Sequence, residues 1–345
     1  MNSTIHTSAE HILAGDLLSA EQAKRLSEAS YDNIDDLLYW ANRIRRRFFG
    51  NQIRICSIVP GRLGGCSQDC AFCAQSVRYE TGIDKTPKVL TDEQIVAAAA
   101  EAKRKGVPNF GIVYSGKAVS DAELERLIAL AGRIRNEYGL GVCMGLGILN
   151  DRQMQRLARA GVVRYNHNLE TSRRHFADIV TTHSYDDRIR TIEAAVKAGL
   201  GVCAGGIFGI GESEQDRLDM AFELRRLGVD TVPMNFLHPI AGTPLERAEI
   251  LNPREILRMI ALYRFILPTI HLKVAGGRVL NLRDLQSWIF YAGCTSILSG
   301  HYLTTAGRSV EQDMQMLHDL ELTPVSEVLI NEQNAAISQT QGVVQ

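Results

Sequence analysis

Residues 53–76 read IRICSIVPGRLGGCSQDCAFCAQS, an apolar run that leads directly into a glycine-bounded loop with three cysteines. The apolar run has the length and composition of a buried strand. Cys66, Cys70 and Cys73 follow it at C-x3-C-x2-C spacing. Three thiolates on one short loop predict a metal site, and they are one ligand short of the four that a closed zinc or cubane iron–sulfur site uses. The sequence therefore predicts a metal centre with one coordination position open for a substrate or cofactor.

Two alternative uses of this loop fit the rest of the chain less well. A disulfide framework is typical of short secreted chains, whereas this chain has 345 residues, seven cysteines and a polar segment at residues 1–10 in place of a secretory signal. A structural zinc site takes a fourth Cys or His at close spacing, and the next histidine along the chain is His167. The open metal centre is therefore the favoured interpretation.

The composition argues against several classes of protein. The formal net charge is -1, and the densest basic cluster, residues 43–47, has the pattern of a solvated helix face, so no nucleic-acid partner is expected. With 45% hydrophobic residues the chain can bury a large core, yet no apolar run is long enough to span a bilayer. Seven cysteines without a signal peptide predict a reducing, cytoplasmic location and metal ligation.

Short apolar runs alternate with amphipathic helical stretches along the chain. The predicted strands cover residues 52–59, 109–114, 140–146, 162–166, 199–207, 230–236, 270–275 and 295–299. The predicted helices cover residues 92–106, 120–138, 150–160, 184–198, 213–227, 253–266 and 281–292, with another after 308. Eight strands that each precede a helix predict a parallel α/β fold, and eight is the number that closes a (βα)8 barrel of the TIM type. An open doubly wound sheet is the main alternative, but the chain has no clean G-x-G-x-x-G fingerprint.

Segments outside the barrel are predicted at both ends of the chain. Residues 1–48 form a helical extension, with helices at 19–30 and 31–48 that either close the bottom of the barrel or make a dimer contact. The barrel domain is expected to span residues 49–325. The tail, residues 326–345, is rich in Gln and free of aromatic residues, which predicts disorder.

A run of polar side chains follows the fourth predicted strand, where residues 165–171 read YNHNLET. Active sites of such barrels lie at the C-terminal ends of the strands. Alternation along a strand sends Asn166, Asn168 and Glu170 to one side and Tyr165 and His167 to the other. Two amides and a carboxylate are suited to binding a ureido or ribose group. The alternative is a polar strand end satisfied by loops, but three inward polar groups are costly in a core without a ligand.

The cysteine loop resembles the signature of radical S-adenosylmethionine enzymes, and together with YNHNLET it resembles biotin synthase over about residues 35–325. Other matching stretches are CAGGIFGIGE at 203–212, NFL at 235–237, GTPL at 242–245, GGR at 276–278 and YLTT at 302–305. The resemblance implies a [4Fe–4S] cluster on the three loop cysteines, with S-adenosylmethionine at its open iron. It also implies sulfur insertion into dethiobiotin to form biotin, an electron donor such as flavodoxin or ferredoxin, and a homodimer.

The resemblance further implies roles for nine residues outside the cysteines. These are Asn166 and Asn235 for dethiobiotin, Asn168 and Glu170 for the ribose, Arg188 for bidentate pairing with the cofactor carboxylate, Phe72 and Ile207 for the adenine, and Ser115 and Gly116 for the methionine amine. Glu170 stands where an aspartate is expected in many members. Its extra methylene keeps an acceptor but shifts its reach.

A second, sulfur-donating cluster deep in the barrel is also implied by the resemblance. In the better-known pattern, three cysteines and an arginine hold a [2Fe–2S] cluster. The arginine position is matched to Arg278, and two of the cysteine positions are matched to Cys143 and Cys203. The third falls on Gly111, which has no thiol.

Cys56 and Cys294 are the two cysteines left over, on the first and last predicted strands, which are neighbours in a closed barrel. With Cys143 and Cys203 they predict four thiolates, which suit a [4Fe–4S]-type cluster such as that of the variant biotin synthases of anaerobes. Arg278 then becomes a hydrogen-bond donor to cluster sulfur. Alternatively, Cys56 and Cys294 are small buried apolar residues.

Two other functions are compatible with part of the pattern. One is a related radical enzyme that acts on another small substrate, of the hydrogenase-maturase or methylornithine-synthase type. The other is a non-catalytic cluster protein on a barrel scaffold. The polar lining of strand 4 and the inward cysteines Cys143 and Cys203 argue against both.

Overall fold

The computed structural model describes residues 2–326, and the predicted tail beyond residue 326 lies outside the described residues. The strands are Gln52–Leu63 (β1), Lys88–Val89 (β2), Asn109–Tyr114 (β3), Gly141–Gly145 (β4), Arg164–Asn166 (β5), Gly201–Cys203 (β6), Gly206–Phe208 (β7), Thr231–Phe236 (β8), His271–Val274 (β9), Ser296–Leu298 (β10) and Thr323–Val325 (β11). The helices are Ser3–Ala14 (α1), Ala20–Ser30 (α2), Ile34–Phe49 (α3), Asp92–Arg104 (α4), Asp121–Tyr138 (α5), Asp151–Arg159 (α6), Arg173–Ile179 (α7), Tyr185–Lys197 (α8), Glu214–Arg226 (α9), Pro253–Ile266 (α10), Arg278–Leu282 (α11), Trp288–Tyr291 (α12) and Val310–Asp319 (α13), with a 3-10 turn at Arg283–Leu285. None of the described helices is long and apolar enough to cross a bilayer.

A closed barrel of parallel strands forms the core. Its strands follow the order β1, β3, β4, β5, β6, β8, β9 and β10, and β10 pairs in parallel with β1, with Arg54 opposite Ser296 and Cys56 opposite Leu298. β7 pairs in parallel with β8 beyond the point where β6 pairs with it. β2 and β11 pair with β1 outside the barrel. The predicted (βα)8 barrel of the TIM type is confirmed.

Capping residues explain why many of the helices begin where they do. Thr91, Ser120, Asn150 and Ser213 each precede a helix and accept a hydrogen bond from the backbone N–H three residues on. In each case the residue at that third position returns a bond to the backbone of the cap, so two otherwise unpaired N–H groups are satisfied. These pairs are visible in the sequence, and the predicted starts agree with the structure to within about a residue.

Two predicted elements are interrupted in the structure. The predicted helix at 281–292 breaks at Arg283, whose φ of 50° and ψ of -121° lie outside the helical range. The predicted strand at 199–207 divides into β6 and β7 around Gly205. A Cβ atom there would lie 2.0 Å from the carbonyl oxygen of Pro233, so the close approach of β8 requires glycine.

The N-terminal extension consists of α1, α2 and α3. α3 packs against α10 and α12, and the ring of Phe49 at its end lies 4.5 Å from the ring of His271 at the start of β9. The end of the extension therefore lies at the bottom of the barrel. α1 was not predicted, because only Ile5, Ala9 and Ile12 mark its buried face among polar neighbours.

Three side chains of β1 lie at successive depths in the barrel interior. Arg54, Cys56 and Ile58 lie at alternate positions of β1, whereas the buried side chains of Ile53, Ile55 and Val59 occupy the other alternation. Arg54 contacts Asp230, which precedes β8, and Ile58 lines a cavity at the C-terminal ends of the strands. Cys56 lies between these two levels. The barrel interior therefore has a charged floor, a thiol level and a cavity level.

Candidate active site

Two of the cavities at the C-terminal ends of the strands are lined by cysteines of the cysteine loop, residues 64–76. We call one the polar cavity. It has a volume of about 250 Å³, and its lining includes Cys66, Gln68, Cys70, Asn166, His167, Asn168, Glu170, His183 and Arg188. We call the other the apolar cavity. It has a volume of about 240 Å³, and its lining includes Ile58, Phe72, Cys73, Ile207, Asn235, Tyr302, Thr304 and Thr305.

Two glycines give the cysteine loop its entry path. Gly64 and Gly65 have φ values of 75° and 63°, which few other residues adopt at low cost. A Cβ atom on Gly64 would lie 2.3 Å from the carbonyl oxygen of Asp84, and one on Gly65 would lie 2.6 Å from Pro87. The chain can therefore turn from β1 into the loop only with glycine at these positions.

Asp69 anchors the cysteine loop to the segment between α7 and α8. Its carboxylate accepts hydrogen bonds from the backbone N–H groups of Thr181 and Thr182, at 3.0 and 3.1 Å, and from both threonine hydroxyls. Burial raises the pKa of Asp69, but these hydrogen bonds lower it by more. The pKa therefore lies well below its usual range. The carboxylate therefore stays charged and holds the loop in place.

Replacing Asp69 by alanine is expected to speed the loss of iron from the loop. The substitution removes the four hydrogen bonds that the carboxylate accepts. A hydrogen bond to a charged group in general contributes about 1.5–3 kcal/mol to stability, and less where water has access. We expect iron release to a chelator, followed anaerobically, to be roughly tenfold faster. Asp178→Ala is the matched control, since this exposed aspartate on α7 contacts His175 and not the loop. Equal release rates in the two variants would contradict the anchoring role.

The thiols of Cys70 and Cys73 are protonated at neutral pH when no metal is bound. Burial raises the pKa of Cys70 to about 12 and that of Cys73 to about 11. Metal must therefore displace their protons when it binds. Within residues 2–326 no three Cys, His, Asp or Glu side chains converge on a single ion position. In a cubane cluster each cysteine would bind a different iron.

Arg188, Asn168 and Glu170 come together in the polar cavity. Arg188 Nη1 donates to the backbone oxygen of Asn168 at 2.8 Å and to Glu170 Oε1 at 3.3 Å. Asn168 Nδ2 donates to Glu170 Oε2 at 3.4 Å. Burial raises the pKa of Glu170, and Arg188 opposes that shift. These three residues converge, but Arg188 already uses Nε and Nη1 within the protein, so Nη2 is the nitrogen left for a carboxylate in place of the predicted bidentate pair.

Glu170 is held in an uncommon backbone conformation. Its φ of 70° lies in the left-handed region, which costs a non-glycine residue about 1–3 kcal/mol. The N–H of Glu170 donates to Gly205 O at 3.1 Å, and its oxygen accepts from Ile207 N at 2.8 Å. This conformation turns the Glu170 side chain into the polar cavity. Strand alternation alone could not predict it, because β5 already ends at Asn166.

The two asparagines predicted for the substrate line different cavities. Asn166 lines the polar cavity, and its Oδ1 atom is buried without a hydrogen-bond partner among the described residues. Asn235 lines the apolar cavity, where its amide donates to Gly206 O at 3.1 Å and accepts from Gly276 N at 2.9 Å. Asn166 therefore keeps an acceptor for a ligand, whereas the amide of Asn235 mainly ties neighbouring strands together.

The other predicted cofactor residues lie around the same loop. Phe72 and Ile207 line the apolar cavity. Gly116 lines the polar cavity and has a φ of 109°. Ser115 uses its hydroxyl to donate to Gly64 O at 2.6 Å, which fixes the start of the cysteine loop.

Below the cavities, Cys56, Cys143 and Cys203 surround the side chain of Lys273. The Lys273 ammonium lies 3.6 Å from Cys56 Sγ, and it interacts electrostatically with Cys203 and Cys143. Lys273 is only 8% exposed. Burial lowers the pKa of Lys273, but the neighbouring cysteines raise it by more. The ammonium therefore keeps its charge. A buried ammonium among three thiols requires a compensating anion, and thiolates bound to a cluster provide one.

The charged floor beneath this level adds further positive charge. Arg54 Nη1 and Arg164 Nη2 bind Asp230 Oδ2 at 2.9 and 2.5 Å. Arg54, Arg164 and Lys273 thus place positive charges beneath the thiols, where they would stabilise an anionic thiolate cluster.

Cys294 and Arg278 do not join this group. Cys294 lies two residues before the start of the β10 register and donates to the backbone oxygens of Ser296 and Leu272, at 3.0 and 3.3 Å. Arg278 forms a fully buried ion pair with Asp313 at 2.6 Å. The contacts of Cys294 therefore do not support the predicted four-thiolate set. Arg278 pairs with Asp313 through Nη2, and its Nε and Nη1 are buried without a hydrogen-bond partner among the described residues.

Lys273 was missed in the sequence, although one signal was present. It lies between Leu272 and Val274 in the short strand β9, where a charged residue on the inner face is unusual. Gly111, the position without a thiol, lies on β3 opposite Cys143 on β4 and opposite Ile58 on β1. Cys56 lies on the same adjacent strand, two residues before Ile58.

Comparison with known proteins identifies two family matches and close relatives. Residues 62–224 match the Radical SAM superfamily, and residues 233–323 match the Biotin and Thiamin Synthesis associated domain. The chain is 50% identical over 322 residues to a biotin synthase of Heliobacterium modesticaldum, covering 93% of this chain and 98% of that protein. It is 45% identical over 327 residues to a biotin synthase of Geotalea daltonii, covering 94% of this chain and 99% of that protein.

Solved structures share the fold at much lower identity. A methylornithine synthase superposes with a TM-score of 0.78 and 18% identity over 94% of this chain and 99% of that one. A maturase of the [FeFe]-hydrogenase superposes with a TM-score of 0.79 and 15% identity, covering 95% of this chain and 79% of that one. At these identities the likeness concerns the barrel alone and does not favour the substrates of either protein. From its identity to curated relatives over nearly its whole length, the chain belongs to the biotin synthase family of radical S-adenosylmethionine enzymes.

Proposed function

We propose that the chain converts dethiobiotin to biotin with a [4Fe–4S] cluster on Cys66, Cys70 and Cys73, which S-adenosylmethionine completes. One observation carries the proposal: the cysteines of one loop line two cavities. Cys66 and Cys70 line the polar cavity, and Cys73 lines the apolar one. When bound, the cluster and S-adenosylmethionine supply a 5′-deoxyadenosyl radical that can remove hydrogen from unactivated carbon.

The residues of the chain supply binding, orientation and exclusion of water. Arg188 and Glu170 offer a charged pair for the amino-acid and ribose parts of the cofactor. Phe72 and Ile207 offer apolar surface beside the loop. A site that excludes water protects a carbon radical from unwanted reactions. The electron donor is proposed to be of the flavodoxin or ferredoxin type, and the homodimer and the cytoplasmic location stay predictions.

We infer that the sulfur-donating cluster is held by Cys56, Cys143 and Cys203, with Lys273 facing it. Three thiolates leave one coordination position without a protein thiolate, and the ammonium of Lys273 lies beside that group as a donor to cluster sulfur. When bound, this cluster supplies the sulfur atom of the product. Anaerobic reconstitution with iron and sulfide, then iron counting and Mössbauer spectroscopy, tests the ligand set.

Asn166→Ala is expected to weaken dethiobiotin binding. The buried Oδ1 of Asn166 has no partner among the described residues, so it is available to accept from a ureido N–H. Loss of such a bond costs about 1–3 kcal/mol, which corresponds to a roughly 5- to 150-fold weaker affinity. Equilibrium binding to the reconstituted enzyme measures the change. Asn33→Ala in the N-terminal extension is the control, because its amide binds only Ala29 O there. Unchanged affinity in Asn166→Ala would reject the assignment.

A further inference from the structure

His183 connects the cysteine loop to the arginine of the polar cavity. Arg188 Nε donates to His183 Nε2 at 3.1 Å. On the other side of the ring, His183 Nδ1 lies 2.9 Å from Gln68 Oε1. Gln68 is buried and lies between Cys66 and Cys70. One imidazole therefore bridges the loop that carries the cluster cysteines and α8, which carries Arg188.

The direction of each hydrogen bond in this chain is fixed by chemistry. A guanidinium N–H can only donate, so His183 Nε2 must be the unprotonated nitrogen. The proton of the neutral ring then lies on Nδ1 and is donated to the Gln68 oxygen. Burial and the nearby charge of Arg188 lower the pKa of His183 to about 4, so the ring stays neutral at ordinary pH. Gln68 Nε2 in turn donates to Ser67 Oγ at 3.0 Å.

The bonds of Arg188 decide which of its nitrogens is left for a ligand. Its Nε is used by His183, and its Nη1 is used by Asn168 O and Glu170 Oε1. Nη2 makes no hydrogen bond with any described residue, and Arg188 lines the polar cavity. With both other nitrogens held, the plane of the guanidinium is fixed. The ring of Phe176 supports the arrangement, with its centroid 5.6 Å from the guanidinium and 5.8 Å from the His183 ring.

We propose that His183 is a positioning residue that holds the Arg188 guanidinium in the orientation that binds the carboxylate of S-adenosylmethionine, and that ties this orientation to the cysteine loop through Gln68. The inference rests on the proposed function, because it takes S-adenosylmethionine to be the ligand of the polar cavity. Without His183 the Nε–H has no acceptor, and only the Nη1 bonds to Asn168 O and Glu170 Oε1 still hold the guanidinium in its orientation. The role is distinct from ligation of the cluster, since neither nitrogen of His183 is available to iron.

The test compares two replacements of His183 in the reconstituted enzyme. His183→Phe keeps an aromatic ring but removes both bonds, whereas His183→Gln keeps an acceptor for Arg188 and a donor for Gln68. We expect His183→Phe to raise the Kd and the KM for S-adenosylmethionine roughly tenfold, with cluster iron unchanged and kcat at saturating cofactor within about twofold. His183→Gln should restore the Kd to within about threefold of the unaltered enzyme.

A double-mutant cycle tests the connection to the loop. If Gln68 acts through His183, then adding Gln68→Leu to His183→Phe should weaken cofactor binding no further. Full additivity would overturn the connection to the loop. Wild-type affinity in His183→Phe, equal weakening in both His183 variants, or loss of cluster iron in His183→Phe would each overturn the positioning role. Absence of saturable cofactor binding in the unaltered enzyme would instead refute the proposed function itself.

Discussion

Replacing Cys66, Cys70 or Cys73 by alanine is expected to abolish formation of 5′-deoxyadenosine while the barrel stays folded. Each thiol is one of three protein ligands of the proposed cluster, and a missing ligand leaves an iron without its thiolate. The loop is held by Asp69 and by its glycines rather than by the sulfur atoms, so the fold should survive. Product analysis with S-adenosylmethionine and a reductant measures the loss, and circular dichroism checks the fold.

Cofactor cleavage at the normal rate in any of these three variants would refute the radical mechanism for this chain. Ser67→Ala is a matched control within the same loop, since its side chain contacts Gln68 and no cysteine. This variant should keep its iron and its cleavage activity at saturating S-adenosylmethionine, since Ser67 Oγ only accepts the bond from Gln68 Nε2. A general collapse of the loop in every variant, Ser67→Ala included, would show that the readout reports folding instead of ligation.

Replacing Cys203 by alanine is expected to stop biotin formation while cleavage of S-adenosylmethionine continues. Cys203 belongs to the group around Lys273 and lies away from the cysteine loop, so only the second cluster should lose a ligand. Iron content should fall by the share of that cluster, and the 5′-deoxyadenosine assay should still give product. Cys56→Ala and Cys143→Ala are expected to behave in the same way.

Cys294→Ala is the control for this experiment, because Cys294 is as deeply buried as Cys203 but binds only backbone oxygens. We expect it to keep the second cluster and to form biotin. If Cys294→Ala lost the second cluster's iron while the fold was kept, the four-thiolate set predicted from the sequence would be right, and the three-thiolate set with Lys273 would be wrong. The two cysteines therefore decide between the models.

The depth at which a residue lies in the barrel was the main point that sequence patterns could not supply. Cys56 and Cys294 were grouped because β1 and β10 are neighbours in a closed barrel, and they are neighbours. The register, however, places Cys56 opposite Leu298, four residues beyond Cys294 along β10. Adjacent strands thus bring two residues together only when their register also agrees. Register is set by the twist and stagger of the closed sheet, to which every strand contributes.

The sequence by itself determined the barrel, the metal-binding loop and the family. The alternation of apolar runs with capped amphipathic helices depends on local periodicity, and the cysteine spacing depends on ligand chemistry within one short segment. Only the tertiary structure decided that Lys273 joins Cys56, Cys143 and Cys203, that Arg278 pairs with Asp313, and that His183 bridges Gln68 and Arg188. These contacts join residues far apart in the chain, and their distances follow from strand stagger and loop packing, which no local pattern encodes.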